Sequence, residues 1–180
     1  MATTINDFDF SYEVDELITK DNMGSNKRFS KFMSIAKQVS ELSTFDKYRL
    51  GAIITVKGVV VARGWNKHKS HPTQKFYNQF RTNLIEGTQV VDAAQNFLHA
   101  EVDAINKALR LGIDLSEAEL TVFRAGLDKQ QKMARPCGGC MEYIKTVKIG
   151  TIRYSTPDGM AIEYLNHDKP IKVKNATKMI

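Results

Sequence analysis

The chain has 180 residues, of which 42% are hydrophobic and 26% charged, and it carries a net charge of +6. This is the balance of an ordinary globular protein, long enough for one domain with a sizeable core. No apolar run approaches the ~20 residues of a membrane span, and the start, MATTINDFDFSYEVDELITK, lacks the basic and apolar stretches of a secretory leader.

The expectation is a cytoplasmic protein with no membrane partner. The two cysteines, Cys137 and Cys140, stand three apart. In a reducing compartment such a pair reads as a metal or redox site before a structural disulfide. The charge is uneven. Residues 1–25 hold six acids (Asp7, Asp9, Glu13, Asp15, Glu16, Asp21) against Lys20, which leaves +11 on the remaining 155 residues. A basic body attracts anions, nucleotides or nucleic acid among them, and reads equally as a solvated basic surface. Residues 1–25 form an acidic N-terminal extension, either a free arm, a self-shielding flap or an oligomer contact. Residues 26–180 form the domain, with Gly24-Ser25-Asn26 as the junction.

In chain order, Phe29, Phe32, Met33, Ala36, Val39 and Leu42 recur at helical spacing and predict a one-faced helix over 27–43. LGAIITV (50–56) and VVVARGW (59–65) read as strands around the turn Lys57-Gly58. Both are apolar enough for a sheet covered on both faces. Residues 66–96 form a long polar insert of little periodicity, a length that in a compact domain is usually functional. A helix is expected from His99 to Leu111, ending at Gly112. A strand follows at 120–125 (LTVFRA). A second helix runs from Cys137 to Val147 behind Pro136, and a strand covers 149–154. Thr156-Pro157-Asp158-Gly159 has turn chemistry. The order predicts an α/β fold, a mixed sheet layered with helices.

Two motifs carry chemistry: His99-Ala100-Glu101 and Pro136-Cys137-Gly138-Gly139-Cys140, each at a predicted helix start. One imidazole and two thiolates make a tripod that suits zinc and leaves a fourth position for water. Zinc lowers the pKa of that water toward neutrality. Helix N-termini favour the thiolates. Glu101, two residues beyond His99, can face the water without being a ligand. From there it takes the proton, passes it to a ring nitrogen and then protonates a departing amine. Alone, the CxxC reads also as a redox dithiol and HAE as coincidence. Together, 38 residues apart and in this order, they match the zinc-deaminase signature. A structural zinc would want a fourth protein ligand. There is no third cysteine, His68, His71 and His167 lie far off in sequence, and Glu101 is the remaining candidate for that place.

These residues resemble the cytidine and deoxycytidylate deaminase superfamily, over roughly 27–154. The resemblance implies a three-layer α/β fold, a five-stranded mixed sheet with helices on both faces, and the two zinc-bearing helices on one of them. It implies one zinc ion per chain on His99, Cys137 and Cys140, with Glu101 catalytic and Ala100 beside it in the substrate pocket. Gly51-Ala52-Ile53-Ile54 resembles the family's strand beneath the base, and Gly64-Trp65-Asn66 its strand end, so Asn66 would bond the substrate sugar. On its own, Asn66 reads also as a turn residue. HAE is unlike the Cys-Ala-Glu of the small cytidine deaminases, and the compact PCGGC is unlike the riboflavin-pathway enzymes. HAEVDA is near the deoxycytidylate pattern, with Asp103 where that pattern often has Asn.

The insert has no cysteine, so a second zinc is not expected. Its Lys67 and Lys69 are placed to hold a 5′-phosphate. The same stretch, with His68, His71, Lys75 and Arg81 among Phe76, Tyr77 and Phe80, reads also as a stacking surface for single-stranded nucleic acid. It reads equally as a solvated loop packed on the core. Arg153, Tyr154 and the turn at 155–159 are candidates for the far wall of the pocket. The leading function is hydrolysis of dCMP to dUMP and ammonia. The alternatives are deamination of a base in tRNA or single-stranded DNA, and a non-catalytic zinc-stabilised module. Relatives are commonly homo-oligomers, so an oligomer is expected here.

Overall fold

The computed structural model describes residues 23–81, 97–165 and 172–176. The first helix, α1, spans Met23–Ser40 and therefore takes in the expected junction at 24–26. It stops three residues short of the expected end. Ser43 turns inward, its hydroxyl donating to the Asn66 carbonyl at 3.0 Å, and Leu42, expected on the apolar face, is exposed.

Strands β1 (Arg49–Val56) and β2 (Val59–Trp65) form the expected hairpin. Lys57 and Gly58 both have positive φ, +48° and +80°, as a two-residue turn matched to the strand twist requires. Strand β3 (Ala118–Ala125) pairs antiparallel with β1, and β5 (Thr151–Thr156) pairs parallel with β3. That parallel step needs a crossover, which helix α4 (Gly138–Thr146) supplies. Strands β6 (Gly159–Tyr164) and β7 (Lys172–Ala176) continue the sheet to the order β2-β1-β3-β5-β6-β7, and the two-residue β4 (Gln131–Lys132) adds to β3. The sheet is mixed, as expected, but wider than five strands. The turn at 157–158 sends the chain back as β6, and β7 follows.

Helices cover both faces. Alternation along β1 sends Ile53 toward α1, with Phe32, Met33, Ala36 and Phe123. It sends Ala52 and Ile54 toward helix α3 (Ala100–Arg110) and α4, with Val102, Ile105, Val122, Ile144 and Ile152. Each such fully buried aliphatic side chain contributes about 1.5–3 kcal/mol. Gly51 faces α1, where any Cβ would collide with the Ala36 carbonyl. Gly64 faces α3 in the same way and lets that helix lie close against β2.

The insert is not featureless. His71 caps a short helix, α2 (Pro72–Tyr77), its Nδ1 accepting from the Thr73 N–H at 3.2 Å, with Pro72 at the first helical position. A 3-10 turn, 78–80, follows. Residues 82–96 and the extension at 1–22 lie outside the described residues.

Candidate active site

The two motifs meet where α3 and α4 begin side by side. His99 and Cys137 are the N-cap residues of these helices, both extended (ψ 153° and 166°), and neither side chain caps its own helix. Both are therefore directed elsewhere. His99 Nδ1 lies 3.3 Å from Cys140 Sγ and 3.6 Å from Cys137 Sγ. Among the described residues these three form the one candidate metal cluster, with all ligand atoms within 4.8 Å of one another. Tetrahedral zinc with Zn–S near 2.3 Å and Zn–N near 2.0–2.1 Å sets N···S edges of about 3.5–3.6 Å. The donor types and spacing fit a zinc ion, and Nδ1 is the imidazole nitrogen aimed at it.

The cysteines are matched as a pair. A hydrogen bond from Cys140, joined by that from His99 and its charge, overcomes burial and pulls the Cys137 thiol down to about 3. The same bond, with burial and the Glu101 charge, pushes Cys140 well above its ordinary value. The pair thus favours one thiolate at Cys137 and a proton held on Cys140. Burial works against protonation of His99, but the Cys137 hydrogen bond and the charges of Cys137 and Glu101 win and raise its pKa.

Glu101 is 2% exposed, and its Oε2 has no hydrogen-bond partner. Burial raises its pKa, against the opposing charge of His99. A buried carboxyl oxygen left without a partner costs roughly 1–3 kcal/mol, a strain that persists where function needs it. A carboxyl shifted upward by burial holds a proton more readily than a free one, which suits a proton carrier.

The insert holds both helix starts. Gln74, fully buried on α2, accepts the His99 N–H on Oε1 at 3.0 Å and donates from Nε2 to Asn78 at 2.9 Å. A Cβ on Gly138 would come within 2.7 Å of the Phe80 carbonyl, and one on Gly139 within 2.6 Å of the Tyr77 carbonyl. The two glycines between the ligand cysteines are the seat of the insert.

A cavity of about 150 Å³ ends on His99, Ala100, Glu101 and Cys137. Its walls include Phe45, Tyr48, Phe97 and three arginines, Arg81, Arg124 and Arg135. Arg135 is gripped by the buried Glu163, at 2.6 and 3.1 Å, which also accepts the Tyr154 hydroxyl at 2.7 Å. Arg124 stacks over the Tyr48 ring at 4.5 Å, and its Nε has no partner. Neither Arg81 nor Arg124 ion-pairs with an acidic group among the described residues.

The expected substrate contacts fare unevenly. Asn66 lines the cavity, but its Oδ1 accepts the Leu50 N–H at 2.8 Å and its Nδ2 donates to the Tyr48 carbonyl at 3.1 Å. Gly51 lies on the α1 side of the sheet. Ala52 is core beneath α3, and neither lines the cavity. Lys67 points away, 2.6 Å from Asp103 and 4.1 Å from the Trp65 ring centre. Lys69 is exposed and meets the site through its backbone, its carbonyl accepting the Leu98 N–H at 2.9 Å. Arg153 pairs with Glu119 at 2.7 Å instead of lining the far wall, and Tyr154 serves Glu163. The cations that line the cavity are instead three arginines from three separate segments.

The comparisons agree with this geometry. The family model for the cytidine and deoxycytidylate deaminase zinc-binding region matches residues 26–156. A search of curated proteins found no match. Among solved structures, the apo dCMP deaminase of cyanophage S-TIM5 is 21% identical, with a TM-score of 0.50, over 71% of this chain and 82% of that one. A cytidine deaminase from Burkholderia pseudomallei is 18% identical, with a TM-score of 0.46, over 80% and 89%. No described helix is long and apolar enough to cross a membrane. With the motif spacing, the tripod and the family match in agreement, this chain belongs to the cytidine and deoxycytidylate deaminase family and is a zinc-dependent deaminase of cytosine compounds.

Proposed function

We propose that the substrate is a free cytosine nucleotide, dCMP, converted to dUMP and ammonia in the cytoplasm. The observation that carries this reading is the pair of arginines, Arg81 and Arg124, that enter the cavity without an acidic partner among the described residues. Two uncompensated guanidiniums at a small cavity call for a dianion, and a monoester phosphate meets two forked donors well. Phe45, Tyr48 and Phe97 give a planar base its apolar walls.

Zinc on His99, Cys137 and Cys140 supplies the Lewis acidity that makes water a nucleophile near neutral pH. Glu101 takes a proton from the attacking water as its oxygen bonds to C4, and delivers it to N3 of the ring. It then carries the second proton to the exocyclic amine, the C4–N bond breaks, and ammonia leaves. Burial with one oxygen left unsatisfied suits Glu101 to both directions of transfer.

A second reading, a base in a single strand, rests on Phe76 and Phe80. These are 59% and 42% exposed on the insert beside Tyr77, an open aromatic cluster on which bases would stack.

The test is ammonia release from cytidine, deoxycytidine, CMP, dCMP, dCTP, tRNA and single-stranded DNA. Turnover of dCMP is expected. Arg124→Gln should lower kcat/KM for dCMP by about 10- to 100-fold, the worth of one charge-assisted bond, and leave deoxycytidine unchanged. Equal losses on both would remove the phosphate role, and turnover confined to the polymers would establish the second reading.

A further inference from the structure

Between α1 and β1 the chain runs through residues 41–48, and this segment brings Phe45 and Tyr48 to the cavity wall. Asn66, buried just beyond β2, holds the segment at both ends. Near its start, Ser43 Oγ donates to the Asn66 carbonyl at 3.0 Å and accepts the Phe45 N–H at 3.2 Å. Near its end, Asn66 Nδ2 donates to the Tyr48 carbonyl at 3.1 Å, and Oδ1 accepts the Leu50 N–H at 2.8 Å. The Asn66 N–H itself donates to the Leu50 carbonyl at 3.3 Å. A side-chain amide engaged with backbone at both of its ends fixes a conformation. What it fixes here is the place from which Tyr48 enters the cavity.

Tyr48 is half-buried. Its ring meets Phe45 at 5.1 Å between centres and carries the Arg124 guanidinium at 4.5 Å. Its hydroxyl has no hydrogen-bond partner among the described residues. The charges that reach the phenol mark its position: Arg124 and Arg81 on the one hand, Glu101 and Cys137 on the other. The first pair belongs to the proposed phosphate end of the cavity and the second to the metal end. A nucleotide with its base at the metal and its phosphate at the arginines has its sugar between them. Burial outweighs the two arginines and raises the phenol above its ordinary value, so the hydroxyl keeps its proton and can donate it in a hydrogen bond.

We propose that the Tyr48 hydroxyl recognises the substrate sugar by bonding its 3′-hydroxyl, and that Asn66 is the residue that positions it. The inference rests on the phosphate lying at Arg81 and Arg124. It moves the sugar contact expected of Asn66 to the tyrosine that Asn66 holds. The sugar of dCMP carries one hydroxyl, and both partners donate and accept, so the bond forms in either sense.

The test compares kcat/KM of zinc-loaded wild type and Tyr48→Phe on substrates that differ only at the 3′ position. These are dCMP against its 2′,3′-dideoxy analogue, and deoxycytidine against 2′,3′-dideoxycytidine. Phenylalanine keeps the ring and removes no bond within the protein, so the melting temperature should not change. A loss of about 3- to 10-fold is expected on both 3′-hydroxyl substrates, the worth of one neutral hydrogen bond, and none on their dideoxy partners. Asn66→Ala also loosens the Phe45 wall and should lower all four. Its loss should be greater on the 3′-hydroxyl substrates by the Tyr48 factor, and that excess should vanish in the Tyr48→Phe background. A merely structural asparagine would lower all four alike and overturn its positioning role. Equal losses in Tyr48→Phe with and without the 3′-hydroxyl, or no loss at all, would overturn the sugar contact. A loss on both nucleotides and neither nucleoside would put the phenol on the phosphate and overturn it too. The nucleoside pair carries no phosphate, so its result is separate from the phosphate reading, which Arg124→Gln tests alone.

Discussion

Helix α3 carries two carboxylates, two residues apart in its first turn, with opposite fates. Glu101 faces the cavity, buried, with an oxygen that nothing satisfies and a pKa raised by burial. Asp103 faces β2 and is saturated. Its Oδ2 accepts from Lys67 at 2.6 Å, from Lys107 at 2.9 Å and from the Trp65 N–H at 3.3 Å. Burial would raise the pKa of Asp103, but these bonds overcome it and hold the group below the usual carboxylate range. Glu101 lies the deeper of the two, and the partners of Asp103 widen the difference. An unsatisfied acid lowers stability and stays reactive, whereas a satisfied one fixes the helix against the sheet and has no proton to trade.

The sharpest way to break this comparison is Glu101→Gln. It keeps shape and most polarity but cannot carry a proton. Activity should fall by about 10²–10⁴-fold or more, with zinc content and melting temperature unchanged or slightly raised. Metal analysis and thermal unfolding on the same sample check it. Retained turnover would remove the proton-carrier role, and lost zinc would make Glu101 a ligand.

Asp103→Asn probes the other face. One oxygen and the amide shape survive, but the charge facing two lysines is lost. Burial also holds the Lys67 ammonium below its ordinary value, so part of what Asp103 gains offsets the desolvation of its partner. The expected loss is therefore modest, about 2 kcal/mol. Its pH dependence has a definite sign. A carboxyl held below its unfolded value contributes stability that is complete above that value, near pH 4. The contribution is lost as pH falls through the lower folded value. Urea unfolding of wild type and variant should differ at pH 7 and converge in acid, below about pH 4. A gap independent of pH would mean that packing, and not charge, is what Asp103 supplies.

The same contrast explains what could be read from the sequence. His99, Cys137 and Cys140 were legible because zinc chemistry demands those residue types at helix starts, and the spacing carries that demand. The hairpin was legible from alternation and a turn that needs positive φ. Lys67 and Lys69 lie near Asn66 in sequence but do not line the cavity, because closeness in sequence says nothing about which way a side chain leaves a loop. Asp103, read as a departure from the family pattern, is the partner that draws Lys67 away. Arg81, Arg124 and Arg135 converge from the insert, β3 and the segment before Pro136, and no local pattern links the three. Signals did exist: an arginine within the apolar LTVFRA, another beside the ligand motif, and His71-Pro72 opening α2 within the insert.

The smallest effect sharpens the comparison most, because it touches neither carboxylate. Gln74 reaches α3 at the N–H of His99, one turn from both acids, and it is the side chain by which the insert holds that helix start. Gln74→Leu fills nearly the same volume and leaves the His99 N–H without its acceptor. The backbone that carries the imidazole then loses its anchor while all three zinc ligands remain. Groups that orient a ligand from behind are worth about 10–100-fold in metal affinity. A weakening at the low end, about tenfold, is expected here, because Gly138 and Gly139 still seat the insert on α4. Competition with a chelator measures it, and unfolding in saturating zinc should stay near wild type. Unchanged affinity would show that the glycine seat alone positions the insert, and that α3 is held from the Asp103 side.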